Sequence, residues 1–106
     1  MVRALVHVPA GARRGEVIEI RALIAHAMET GYRSGSEGQR LPRDLIRRVE
    51  ARFEGQPVFA ADLHAAVAAN PYLSFPLLAT ASGTLTVSWS GDNGFAYSQS
   101  VRLDVV

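Results

Sequence analysis

Hydrophobic and polar residues alternate along much of this chain with a period of two, which places successive side chains on opposite faces of an extended strand. Between 17 and 24, Ile18, Ile20, Ala22 and Ile24 share one face, while Val17, Glu19, Arg21 and Leu23 share the other. The cleanest alternation runs from Thr84 to Ser90, with Leu85, Val87 and Trp89 on one side and Thr84, Thr86, Ser88 and Ser90 on the other. A segment with a hydroxyl face buries only one side, the pattern of a sandwich strand with one wet surface. Ser90-Gly91-Asp92-Asn93-Gly94 then supplies residues that tolerate positive φ. A second alternating run places Tyr97, Val101, Leu103 and Val105 together, predicting a C-terminal hairpin. Residues 2–8 and 73–79 are further strand candidates, the second with Leu73, Phe75, Leu77 and Ala79 on one face.

One stretch admits either period. From Pro42 to Gly55, a helix would have Pro42 in its first turn, a Leu45, Val49, Phe53 stripe and Gly55 past its end. A strand would have Val49, Ala51 and Phe53 inward and Arg48, Glu50, Arg52 and Glu54 as an outer row, turning at Glu54-Gly55 into Pro57 to Ala61. Local propensity favours the helix. The strand-rich surroundings favour the strand, because a lone helix needs an apolar sheet face to lie on. Asp62 to Ala69 is expected to hold at most a short helical turn, stopped at Asn70-Pro71. Gly and Pro punctuate the chain at the spacing of short strands, so the pattern as a whole predicts one all-β domain spanning 1–106.

Composition narrows the function. The chain has 106 residues, 48% of them hydrophobic. A folded chain of this size buries ~60–70% of the surface its unfolded form exposes, enough to hold a core without a metal or disulfide. The net charge of +1 lacks the one-sided balance of a nucleic-acid binder. With no Cys, the chain forms no disulfide, thiolate metal site or cysteine nucleophile of its own, and because all eleven cationic side chains are Arg, lysine Schiff-base chemistry is excluded too. The longest fully apolar run, 65–69, is far from the ~18 residues of a spanning helix, so no membrane association is expected. The first residues imitate a signal peptide, but His7 breaks an already short apolar stretch, so no export signal of its own is expected.

Candidate chemistry is sparse. His7, His26 and His64 fall in no metal-ligand spacing, and Asp62 with His64 has no Gly-x-Ser-x-Gly nucleophile to serve. Gly31 to Gly38 has no following helix to hold a phosphate and reads as a loop. Asp92-Asn93-Gly94 lacks the distal Glu of a calcium loop and reads as a turn. Neither a cofactor nor catalysis is expected. Arg40, Arg43, Arg47, Arg48 and Arg52 against Asp44, Glu50 and Glu54 leave a net +2, five arginines less three carboxylates. This region, with His64, is the basis of an alternative reading as a small anion-binding or hydrolytic sandwich. The densest stretch of unusual residues is His26-Ala27-Met28-Glu29-Thr30-Gly31-Tyr32-Arg33, where Met, Tyr and Arg together have the composition of a protein contact surface.

That stretch, with its flanks, resembles the SoxZ family of sulfur-oxidation proteins. The resemblance runs through Arg3-Ala4-Leu5, Val8-Pro9-Ala10, Arg14 to Ile20, His26-x-Met28 to Arg33 and Pro42-Arg43-Asp44. It continues in Val58-Phe59-x-Ala61 to His64, Ala68 to Phe75 and Ser82 to Leu85. It implies an immunoglobulin-like antiparallel β-sandwich of about seven short strands. It also implies a partner of the SoxY type, whose C-terminal Gly-Gly-Cys-Gly-Gly arm carries sulfur intermediates between the enzymes of thiosulfate oxidation. This chain would be the half that carries no sulfur, exported to the periplasm with its partner and met transiently by other sulfur-oxidation enzymes. Left alone, its sheet edges would favour self-association. His26, Met28, Glu29, Tyr32 and Arg33 are the candidates for the partner- or enzyme-facing corner. Ala27 stands where the family often has Pro, and Ala51 where some members have a Cys, which removes a covalent link to the partner through that position.

Overall fold

A computed structural model describes residues 3–31, 38–39, 42–63 and 69–106. The described chain is all-β, with strands β1 (Ala4–His7), β2 (Val17–Ile24), β3 (Ile46–Phe53), β4 (Gln56–Asp62), β5 (Tyr72–Leu78), β6 (Gly83–Gly91) and β7 (Ala96–Leu103). A single 3₁₀ turn, Asp92–Gly94, joins the last two. Every strand pairing is antiparallel, giving a three-stranded sheet in the order β1-β2-β5 and a four-stranded sheet in the order β4-β3-β6-β7. The seven strands in two layers are compatible with an immunoglobulin-like layout, with the fourth strand beside the third. A parallel bridge from Ala12 to Val105 ties the first sheet to the second along one side. On the other side Phe59 of β4 stacks on Phe75 of β5, ring centroids 4.6 Å apart.

The alternations become burial. Ile18, Ile20, Ala22 and Ile24 from β2 face Leu85, Val87 and Trp89 from β6 across one core, which Phe75, Leu77, Ile46, Val49, Ala51 and Leu103 complete. The ambiguous stretch is strand β3, paired on one side with β4 and on the other with β6. Helix propensity in 43–54 is overridden because a helix would leave β4 without a neighbour and strip β6 of one of its two, with backbone groups unpaired on both. The pairing with β6 slips between Ile46 and Arg48, a bulge that turns Arg47 and Arg48 both outward. The β3–β4 hairpin turns on Glu54 (φ 49°) and Gly55 (φ 81°), two positive values in succession as a type I′ turn requires. Asp62 closes β4, and the helical turn expected up to Ala69 falls largely on 64–68, outside the described residues.

The two sheets differ on their outer faces. The four-stranded sheet presents hydroxyls and ion pairs: Thr86 bonds Ser100 (2.9 Å), Ser88 bonds Ser98 (2.8 Å), and Arg52 Nε donates to Glu50 (2.6 Å). The three-stranded sheet presents Leu5, Val17, Leu23, Tyr72 and Leu78, all exposed.

Candidate functional site

The corner that follows β2 is built around His26. Its ring Nδ1 accepts the Met28 N–H (3.0 Å), its own N–H donates to Asn70 Oδ1 (2.9 Å), and its carbonyl accepts the Asn70 N–H (2.6 Å). The ring meets Phe95 edge to face, centroids 5.0 Å apart, and its Nε2 lies 3.7 Å from Asp44 Oδ1. A lone histidine with no metal-ligand spacing thus acts as a staple joining three loops distant in sequence.

Met28 sits in the left-handed region (φ 55°), uncommon for a side chain of its size, and its thioether is buried. The sulfur accepts the Ile46 N–H at 3.3 Å, at the first residue of β3. Glu29 and Asp44 then exchange both backbone hydrogen bonds, at 2.8 and 2.7 Å, closing an isolated antiparallel bridge. Met28 therefore holds the corner to the core, while Glu29 remains partly accessible. Met28→Ala is expected to cost ~2 kcal/mol or more through the lost volume, whereas Met28→Leu keeps the volume, loses the acceptor and costs ~1 kcal/mol. Urea denaturation of the two variants separates the contributions.

Asp92, in the turn between β6 and β7, anchors the other side of the corner. It receives Arg47 Nε (2.9 Å), Arg43 Nε (3.2 Å) and the Leu45 N–H (3.1 Å), while Asn93 Nδ2 reaches the Arg43 carbonyl (3.2 Å). The Arg47 hydrogen bond, outweighing partial desolvation and helped by the Leu45 N–H and the Arg43 charge, holds the Asp92 carboxyl below its ordinary 3.8. A depressed carboxylate stabilises the fold above its unfolded value and loses that contribution as pH falls through its folded value. Asp92→Asn is accordingly expected to flatten the loss of melting temperature below pH 4, measured by circular dichroism melts from pH 6 to pH 2.

The structure brings His26, Met28 and Glu29 together at one end of the sandwich. Tyr32 and Arg33 lie outside the described residues, as do Arg40 and His64 of the anion-binding alternative. The described arginines of that alternative are engaged with the chain's own carboxylates: Arg43 and Arg47 on Asp92, Arg48 on Asp62, Arg52 on Glu50. They spread along β3 and into the preceding loop rather than converging on a pocket. His7 lies on β1, paired with Arg21 of β2, away from the corner. Among the described residues no three His, Cys, Asp or Glu side chains gather as metal ligands would. Asn70, Asp92 and Phe95 are the corner residues that sequence reasoning missed. The one local signal was Asn before Pro at 70–71, because partners 44 to 47 positions apart leave no local pattern.

The family model for the sulphur oxidation protein SoxZ matches residues 6–102. No curated protein matches the sequence. Among solved structures, the superoxide reductase (neelaredoxin) from Ignicoccus hospitalis superposes with a TM-score of 0.76 at 16% identity, over 97% of this chain and 80% of that one. A hypothetical protein from Pyrococcus horikoshii OT3 superposes with a TM-score of 0.62 at 16% identity, over 95% of this chain and 85% of that one. At such identities the likeness is one of fold alone.

Proposed function

The chain belongs to the SoxZ family of sulphur oxidation proteins, and on that premise we propose that it is the non-catalytic subunit of a heterodimeric sulfur-carrier complex in thiosulfate oxidation. The observation that carries this reading is a family match running through both sheets, from β1 to β7, rather than over a single motif. The partner is a SoxY-type chain whose Gly-Gly-Cys-Gly-Gly arm bears the sulfur. A persulfide or S-thiosulfonate needs a thiolate, and this chain has no Cys, so the covalent chemistry falls to the partner. This subunit stabilises the carrier and presents its arm to successive enzymes in the periplasm, with the corner at His26, Met28, Glu29, Tyr32 and Arg33 facing the partner or those enzymes. Met28 does so indirectly, by fixing the backbone to which Glu29 belongs.

A subunit that binds the folded carrier raises the carrier's melting temperature by mass action, about 2.7 kcal/mol of stabilisation at a hundredfold excess over Kd. Adding this chain to the isolated partner is expected to shift its melt upward in a concentration-dependent way, while calorimetry of thiosulfate with this chain alone is expected to show no binding heat. A partner melt that ignores this chain, or stoichiometric thiosulfate binding by the chain alone, contradicts the reading.

A further inference from the structure

The outer face of the three-stranded sheet carries an unusual load of apolar side chains. Strand register sets Leu5 beside Leu23 and Leu23 beside Tyr72, so these three form one row across β1, β2 and β5. Val17 and Leu78 form a second apolar pair further along β2 and β5. Exposures of 63% for Leu5, 66% for Val17, 59% for Tyr72 and 52% for Leu78 leave them uncovered among the described residues. Together the five side chains expose on the order of 500 Å² on one face, divided by a polar band into two apolar rows. With His7, Arg21 and Pro76 around them, the face reaches the roughly 600 Å² per side at which specific interfaces begin.

Between the two apolar rows lies a polar band. Arg21 Nε donates to Glu19 at 2.7 Å, and that bond raises the Arg21 pKa further above its ordinary range. The pair neutralises itself within the face, so covering it strands neither charge. A shallow depression of about 310 Å³, lined by Arg3, Ala4, Leu5, Leu23, Ala25 and Asn70, carries the patch towards the end of the sandwich. There Asn70 bonds His26, so the apolar face is continuous with the candidate corner.

We infer that this face, centred on Leu5, Leu23 and Tyr72, is where the carrier partner docks, with an apolar sheet of the partner laid against it. The inference rests on the proposal that the chain is one half of a heterodimer. Charge selects a different chain over a second copy: among the described residues of this face Arg3 and Arg21 stand against one carboxylate, Glu19, so two copies would oppose net positive faces. The complementary partner face is apolar and carries a carboxylate opposite Arg3. The four-stranded sheet, with its hydroxyls already bonded to one another, faces water in the complex.

The test uses this chain and its purified partner in titration calorimetry, with Leu23→Glu and Tyr72→Glu on the proposed face and Ala60→Glu and Ser98→Glu on the opposite sheet. Losing one buried anchor is expected to weaken the complex about 100-fold, with the opposite-sheet variants at wild-type affinity. Should either glutamate prevent folding, Leu23→Ser and Tyr72→Ser replace them, and amide exchange on the wild-type pair is expected to slow in β1, β2 and β5 but not in β4. If all variants bind the partner as the wild type does, the face is wrong and the heterodimer stands. If the wild type does not bind the partner at all, the heterodimer itself fails and takes this surface with it. If the face variants abolish only self-association, the occupant is a second copy and the inference is overturned.

Discussion

Gly91→Ala is expected to destabilise this protein more than any other single methyl addition, by over ~3 kcal/mol and thus by more than ~10 °C in Tm. Conformation is not the reason, since Gly91 has φ −171° and is ordinary extended backbone. Space is. Gly91 pairs with Ile46 where β6 meets the bulged start of β3, and a Cβ there would collide with the Leu45 carbonyl and sit 2.8 Å from Ile46 Cα. Both obstacles are backbone, so relief requires parting the two central strands and with them the Asp92 N–H bond to the Leu45 carbonyl (2.8 Å). Gly83→Ala is the informative control. The Cβ would come within 2.6 Å of Glu54 Cγ, but Glu54 is an exposed side chain that can swing away, so a shift of only a few degrees is expected. Thermal melts of the two variants side by side distinguish backbone from side-chain obstruction.

Trp89→Ala is expected to cost ~3–5 kcal/mol, the range for removing a large aromatic from a core. Trp89 is 1% exposed, lies opposite Val49 of β3 and has the ring of Tyr97 6.4 Å from its own. Domains of this kind have ~5–15 kcal/mol in total, so the variant is expected to lose a large share of its stability and to melt well below the wild type. Trp89→Phe keeps most of the contact area and is expected to stay folded with a reduced urea midpoint. A Trp89→Ala variant that melts within a few degrees of the wild type would mean that the core is not organised around β6.

Much of the fold is legible because strands of period two write their burial directly into the sequence. The inward sets of β2 and β6 follow from alternation alone, since a shift of one residue would expose Ile20 or Trp89. Strand β3 is harder to read. Its local residues satisfy a helical stripe and a strand face alike, and pairing with the hairpin neighbour β4 and the distant strand β6 decides between them. Sequence also conceals the bulge that places Arg47 and Arg48 on the same side, and hence the reach of Arg47 to Asp92.

The corner was legible in composition but not in mechanics. Met28 reads as a contact residue, yet its left-handed backbone and buried sulfur make it the pin between the corner and β3. The arginines read as an electropositive stretch, yet those described each find a carboxylate of the same chain, two of them sharing Asp92. What marks the apolar docking face in the sequence is faint: Val17, Leu23, Tyr72 and Leu78 occupy outward positions of alternating strands where polar residues are the rule. Only the strand register shows that Leu5, Leu23 and Tyr72 adjoin.

Whether this chain works as half of a carrier is read out by native mass spectrometry of the tagged chain co-expressed with the protein encoded beside it. The expected result is a 1:1 complex whose second chain ends in a glycine-flanked cysteine and gains the mass of bound sulfur after incubation with thiosulfate and the pathway's enzymes. A tagged chain that emerges alone, or only as copies of itself, contradicts it.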